Sequence, residues 1–165
     1  MKASWNTTLQ FSIAMAFTLA LPHASAVDRG ASAGGFAYVS GGATYEELTA
    51  LRADRQAYSF WLTTAALHSG AHLADVKVRI TETGSGKLAL DYTMDGPWLF
   101  VALPAGRYDV EATYPKGRGG RPETQKFTTT VNASQHHQQT LYFNTGDKVE
   151  GEMPGGEKAP APKLQ

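Results

Sequence analysis

The sequence predicts a mainly β protein, a seven-stranded antiparallel sandwich of two sheets preceded by one short helix. Three observations predict it. From Tyr58 onward apolar residues recur at every second position, the period of a strand that turns one face to a core and the other to water. Turn signals built on Gly, Pro and Asp-Gly interrupt that period at fairly even spacing, as they do in sandwiches. The one stretch with a convincing helical period, 44–57, lies before the strands begin.

In that stretch, "TYEELTALRADRQA", Thr44 is placed to cap the N-terminus and Glu47 to complete a capping box, with Glu46 and Glu47 at the positive end of the dipole. Leu48, Leu51 and Arg55 share a face, so this short helix must lean on a larger surface. "YSFWLTTAA" (58–66) alternates Tyr58, Phe60 and Leu62 against Ser59 and Thr63, with Trp61 an apolar exception. "DVKVRITE" (75–82) alternates most cleanly, Val76, Val78 and Ile80 against Lys77, Arg79 and Thr81. A "TGSG" turn leads to "KLALDY" (87–92), and Met-Asp-Gly signals a second hairpin into "PWLFVAL" (97–103), where Pro97 suits a strand start. Leu103-Pro104-Ala105-Gly106 fits a type I turn that reverses the chain into "RYDVEATY" (107–114). That turn carries Tyr108 inward, its hydroxyl expected to bond nearby backbone as in a tyrosine corner. After a long loop, "PKGRGGRPE", come the last two strands, "TQKFTTTV" (124–131) and "HHQQTLYF" (136–143).

Residues 1–26 read as a secretory signal peptide: Lys2, the apolar "FSIAMAFTLAL", Pro22, then "ASA", with cleavage expected after Ala26. The apolar run is shorter than the roughly 20 residues a spanning helix needs, so no transmembrane segment is expected. Residues 27–35 are expected to be a flexible lead-in, 36–57 a Gly-rich segment with the helix, 58–143 the sandwich and 144–165 a disordered Pro/Gly-rich tail. The expected location is periplasmic or secreted. The 165 residues contain no Cys, which rules out disulfides and leaves the core alone to hold the domain together. Lys and Arg balance Asp and Glu at 15 each, and loss of Lys2 with the leader leaves a formal charge of −1, a poor match to nucleic acid.

The run "LADVKVRITETGSGKL", the Asp-Gly turn and "FVALPAGRYDVEATY" together resemble the carboxypeptidase regulatory-like domain, a transthyretin-like (prealbumin-like/Ig-like) sandwich. The resemblance covers 73–143, and its most specific part is Leu103 to Tyr108. The upstream "YVSGGATYEEL" resembles the start of small exported bacterial proteins that carry such a domain. The resemblance implies an accessory or binding module without catalysis. In metallocarboxypeptidases the domain stands beside a zinc domain, which this sequence lacks. Related hydroxyisourate hydrolases use His and Arg with a Tyr-Arg-Gly-Ser-type ending, absent from the Pro-rich tail here, so that activity is not carried over.

Candidate sites are few. His68 and His72 are four apart and with Asp75 form a conceivable three-ligand metal set, but Gly70 between them argues for a loop. His136 and His137 are adjacent on a strand and so face opposite ways. Ser40 in "YVSGG" lacks the first Gly of a nucleophile elbow, where Tyr38 stands instead, and a Gly-rich approach to the helix explains it without chemistry. Lys116, Arg118 and Arg121 could seat an anion, though such runs are more often solvated loops. Trp61 and Trp98 could form part of an aromatic surface for a sugar or peptide. The expectation is therefore a non-catalytic exported module, with no cofactor, binding an envelope protein or polymer. A small periplasmic hydrolase or metal-binding protein using His68, His72 and Asp75 is the alternative.

Overall fold

The protein's computed structural model describes residues 27–133 and 135–147. The expected signal peptide and residues 148–165 of the expected tail lie outside the described residues. In chain order the elements are β1 (Asp28–Ala31), β2 (Ala37–Gly41), α1 (Tyr45–Asp54), β3 (Phe60–Ala66), β4 (Lys77–Glu82), β5 (Leu88–Thr93), β6 (Trp98–Val101), β7 (Gly106–Tyr114), β8 (Glu123–Val131) and β9 (His137–Phe143). A five-stranded sheet runs β1-β2-β6-β3-β9 and a four-stranded sheet runs β5-β4-β7-β8.

The seven expected strands are β3 to β9, but the strand count is nine. The stretch expected as a flexible lead-in contains β1, and the Gly-rich segment contains β2. Neither alternates apolar with polar residues. Their order comes from backbone pairing, β1 on β2 from Asp28↔Ser40 to Ala31↔Ala37, and β2 on β6 from Tyr38↔Val101 to Gly41↔Trp98. The arrangement is also not wholly antiparallel. β9 runs parallel to β3 from Phe60↔His137 to Ala66↔Phe143.

The turn expected to make a hairpin at Met-Asp-Gly, and the reversing turn expected at Leu103 to Gly106, both carry the chain between sheets. The Met-Asp-Gly segment links β5 in one sheet to β6 in the other, and Leu103 to Gly106 links β6 back to β7. Local turn residues set the reversal of the chain and not the choice of sheet. The tyrosine corner forms as expected: Tyr108 is 3% exposed and its hydroxyl donates to Pro104 O at 3.1 Å.

Between the sheets lies the main core. Phe60, Leu62, Leu99, Val101 and Phe143 of one sheet meet Val78, Ile80, Leu90, Val110 and Val131 of the other. The intervening positions Val39, Trp61 and Phe100 point to the outer face of the five-stranded sheet, where Leu51 of α1 joins them in a second cluster. Every residue of β3 is buried for that reason.

The helix is shorter than its expected span, because residues 55–57 tighten into a 3-10 turn. Thr44 caps it, its Oγ1 accepting from Glu47 N at 3.2 Å. Glu47 reaches past the cap: its Oε2 accepts from Gly42 N and Ala43 N, each at 2.9 Å. These bonds hold the β2–α1 turn against the sheet.

Candidate functional site

The outer face of the five-stranded sheet is a packed layer, and it absorbs most of the aromatic candidates. Trp61 is 6% exposed, and its indole N–H lies 2.9 Å from Tyr58 O and 3.2 Å from Arg55 O. The Arg55 guanidinium covers the same ring at 4.3 Å and His136 stacks on it at 4.7 Å. Trp61 is thus a pillar of the second cluster, not a platform for a ligand. Trp98 is half-buried beside Phe100, its ring crossing Gly42 so closely that a Cβ there would meet Cδ1 at 2.5 Å. Its fit requires glycine at 42.

The histidines and acids of the possible metal set are not drawn together. His68 sits in the exposed turn after β3, while His72 bridges Ala65 and lies edge-on to Trp98 at 6.4 Å. Asp75 faces Lys116 at 3.7 Å. Among the described residues no three His, Asp or Glu side chains are placed to hold a metal ion. His136 and His137 do face opposite ways, the first against Trp61 and the second stacked on Phe60 at 6.0 Å. Ser40 is fully buried, on the strand face opposite Val39. The loop with Lys116, Arg118 and Arg121 is exposed and anchored by its backbone, Arg118 N donating to Asn144 O at 2.6 Å.

The four-stranded sheet turns a polar face to solvent. Strand register sets Asp91, Arg79, Glu111 and Lys126 in one row across all four strands, alternating in sign. Arg79 meets Asp91 at 3.0 Å and Lys126 meets Glu111 at 2.7 Å. In the next row the Thr128 hydroxyl donates to Asp109 at 2.7 Å and is the main cause holding that carboxyl below its ordinary range. A shallow depression of about 390 Å³ lies over this face, but its charges already satisfy one another.

The open side of the sandwich is different. β8 and β9 are the edge strands of their two sheets and are joined in sequence, so their free edges run side by side. At one end they are tied: Gln125 Nε2 donates to Tyr142 O at 2.6 Å and Asn144 N to Glu123 Oε2 at 2.7 Å. Along these edges lies an open slot of about 400 Å³. Phe127 and Thr129 line it from β8, and His137, Gln139 and Leu141 from β9. Thr129 is 5% exposed, and its Oγ1 has no hydrogen-bond partner among the described residues. A buried hydroxyl without a partner costs on the order of 1–3 kcal/mol, so it marks a place where a further polar group would be welcome.

Of these slot residues only His137 was weighed in the sequence, and there only as a strand residue facing away from His136. Thr129 is one of three consecutive threonines, and only its inward phase, shared with Phe127 and Val131, could have set it apart. The chain matches no protein-family model and no curated protein.

Proposed function

We propose that the protein is a non-catalytic, exported binding module, and that the slot between β8 and β9 holds a segment of an envelope protein or polymer. In this reading β3 to β9 are the prealbumin-like unit that the sequence resembles, and β1 and β2 extend one sheet at its far edge. The observation that carries the proposal is the slot itself: two adjacent strand edges, a mainly polar lining that includes Phe127 and Leu141, and a buried hydroxyl without a partner among the described residues. Free edges offer backbone N–H and C=O groups to an extended guest, while Phe127 and Leu141 offer apolar surface to its side chains. Among the described residues no helix is long and apolar enough to cross a membrane.

A photo-activatable residue at exposed Thr130, beside the slot, and one at exposed Thr93, on the opposite side of the same sheet, test this in an envelope fraction. Adducts should form from position 130 and not from 93. Equal labelling, or labelling from 93 alone, removes the slot as the site. Stoichiometric zinc in the purified protein, lost on His68→Ala, would overturn the non-catalytic part of the reading.

A further inference from the structure

The parallel pairing of β9 with β3 fixes which of its backbone groups are engaged. His137 N donates to Ser59 O at one end of the pair and Leu67 N to Phe143 O at the other, each at 2.8 Å. Residues 137, 139, 141 and 143 therefore turn their N–H and C=O groups to β3, and residues 138, 140 and 142 turn theirs to the free edge. Two of the carbonyls on that edge are occupied by side-chain amides. Gln139 Nε2 donates to Thr140 O at 3.2 Å, and Gln125 Nε2, from β8, donates to Tyr142 O at 2.6 Å. Both glutamines line the slot.

A side-chain carboxamide offers the same N–H donor as a peptide group. Thr140 O and Tyr142 O lie two residues apart on one side of a strand, about 6.6 Å at the usual rise per residue. An extended polypeptide presents successive N–H groups along one side at that same interval. The two amides thus stand in for two N–H groups of an added strand. Just past the end of β9 the next even-numbered carbonyl, Asn144 O, takes a true backbone donor, Arg118 N, at 2.6 Å. At that point the edge already binds polypeptide.

We infer that the guest of the slot is an extended polypeptide segment that adds to β9 as a sixth strand of its sheet, and that Gln125 and Gln139 hold the guest's place while the edge is empty. The inference rests on the slot reading and narrows an envelope protein or polymer to a peptide backbone. An incoming strand takes over Thr140 O and Tyr142 O and brings carbonyls to the N–H groups of residues 138, 140 and 142. Each glutamine bond it must break subtracts from its affinity. The glutamines are therefore a brake on strand addition, which keeps an exposed edge from pairing indiscriminately.

The test selects random decapeptides displayed on phage against the purified full chain, and uses one selected peptide, synthesised, as the probe. In amide hydrogen exchange the bound peptide should slow residues 138, 140 and 142 and leave 139 and 141, already bonded to β3, as they were. Gln139→Met keeps the length of the side chain and removes the donor. It should bind the peptide about fivefold more tightly, the size expected for one hydrogen bond that no longer has to be broken. Its melting temperature checks that it folds, and the exchange pattern of the unsubstituted protein does not depend on it. Protection without the alternation, unchanged or weaker binding by folded Gln139→Met, a library that yields no binder, or carbohydrate adducts from position 130 in the envelope fraction each overturn strand addition while leaving the slot reading standing. Protection confined to β1 or β5, on the far side of the sandwich, removes the slot reading as well.

Discussion

The two sides of the sandwich are closed by opposite means. On one, the edge strands β1 and β5 are bridged by Tyr92, whose hydroxyl lies 2.6 Å from Asp28 and 3.0 Å from Asp95 while its ring packs on Tyr38 at 4.5 Å. On the other, β8 and β9 are tied at one end by Gln125 to Tyr142 O, and Thr129 in the lining of the slot has no hydrogen-bond partner among the described residues. The closed side spends an aromatic ring and two carboxylates on fastening two sheets that share no backbone hydrogen bonds. The open side has no such aromatic clasp. The difference teaches that edge protection in this fold is uneven: the side clasped by Tyr92 keeps a depression of about 160 Å³ beside β5, and the side without that clasp has one of about 400 Å³.

The largest effect should come from Tyr108, which is buried in the main core and stands opposite Thr129 on the neighbouring strand. Tyr108→Ala should cost about 3 kcal/mol, as aromatic truncations in cores do, and visibly lower the melting temperature. If it melts with the wild type while binding is lost, the tyrosine belongs to the site rather than to the core. Next is the clasp on the closed side. Tyr92→Phe, which keeps the ring and removes the hydroxyl, should cost about 1 kcal/mol in urea unfolding.

Tyr92 also has a pH signature. Burial first, then its hydrogen bonds to Asp28 and Asp95, push its phenol well above the usual range. The folded protein keeps the proton that the unfolded chain releases above a pH of about 10, so this group's contribution is intact below that pH and declines above it. Denaturation between pH 9 and 11.5 should show a decline that is shallower in Tyr92→Phe. An unchanged slope would mean that the clasp does not hold in solution.

Smaller still is Thr129→Val, which removes the unpartnered hydroxyl without changing the shape of the wall. Stability should stay level or rise by up to about 1 kcal/mol, while cross-linking from position 130 falls. A clear loss of stability would show that the hydroxyl is already satisfied. Lys116→Ala and Arg118→Ala, in the exposed loop, should each stay within about 0.5 kcal/mol in thermal melts and leave cross-linking unchanged.

Much of the fold was legible one strand at a time. Val76, Val78 and Ile80 announced an inward face, and Thr44 and Glu47 announced the helix start, because burial and capping act over a few residues. The candidate site was not legible. Phe127, Thr129 and Gln139 become neighbours only when the edges of two sheets meet, and nothing within either strand records that meeting. Trp61, which looked available, is covered by Arg55, His136 and the helix, all brought to it by the packing of α1 on the sheet.

By itself, then, the sequence determined the local periods: seven strands, one capped helix, and a Leu-Pro-Ala-Gly turn that swings Tyr108 inward. Only the tertiary structure decided which sheet each strand joins, that β9 lies parallel to β3, that residues 28–41 add two strands, and which side stays open. The physical reason is that side-chain burial leaves a period in the sequence, whereas strand partnership is made by backbone groups that every residue carries alike. Partners are therefore chosen by which edges lie within reach once the core has formed.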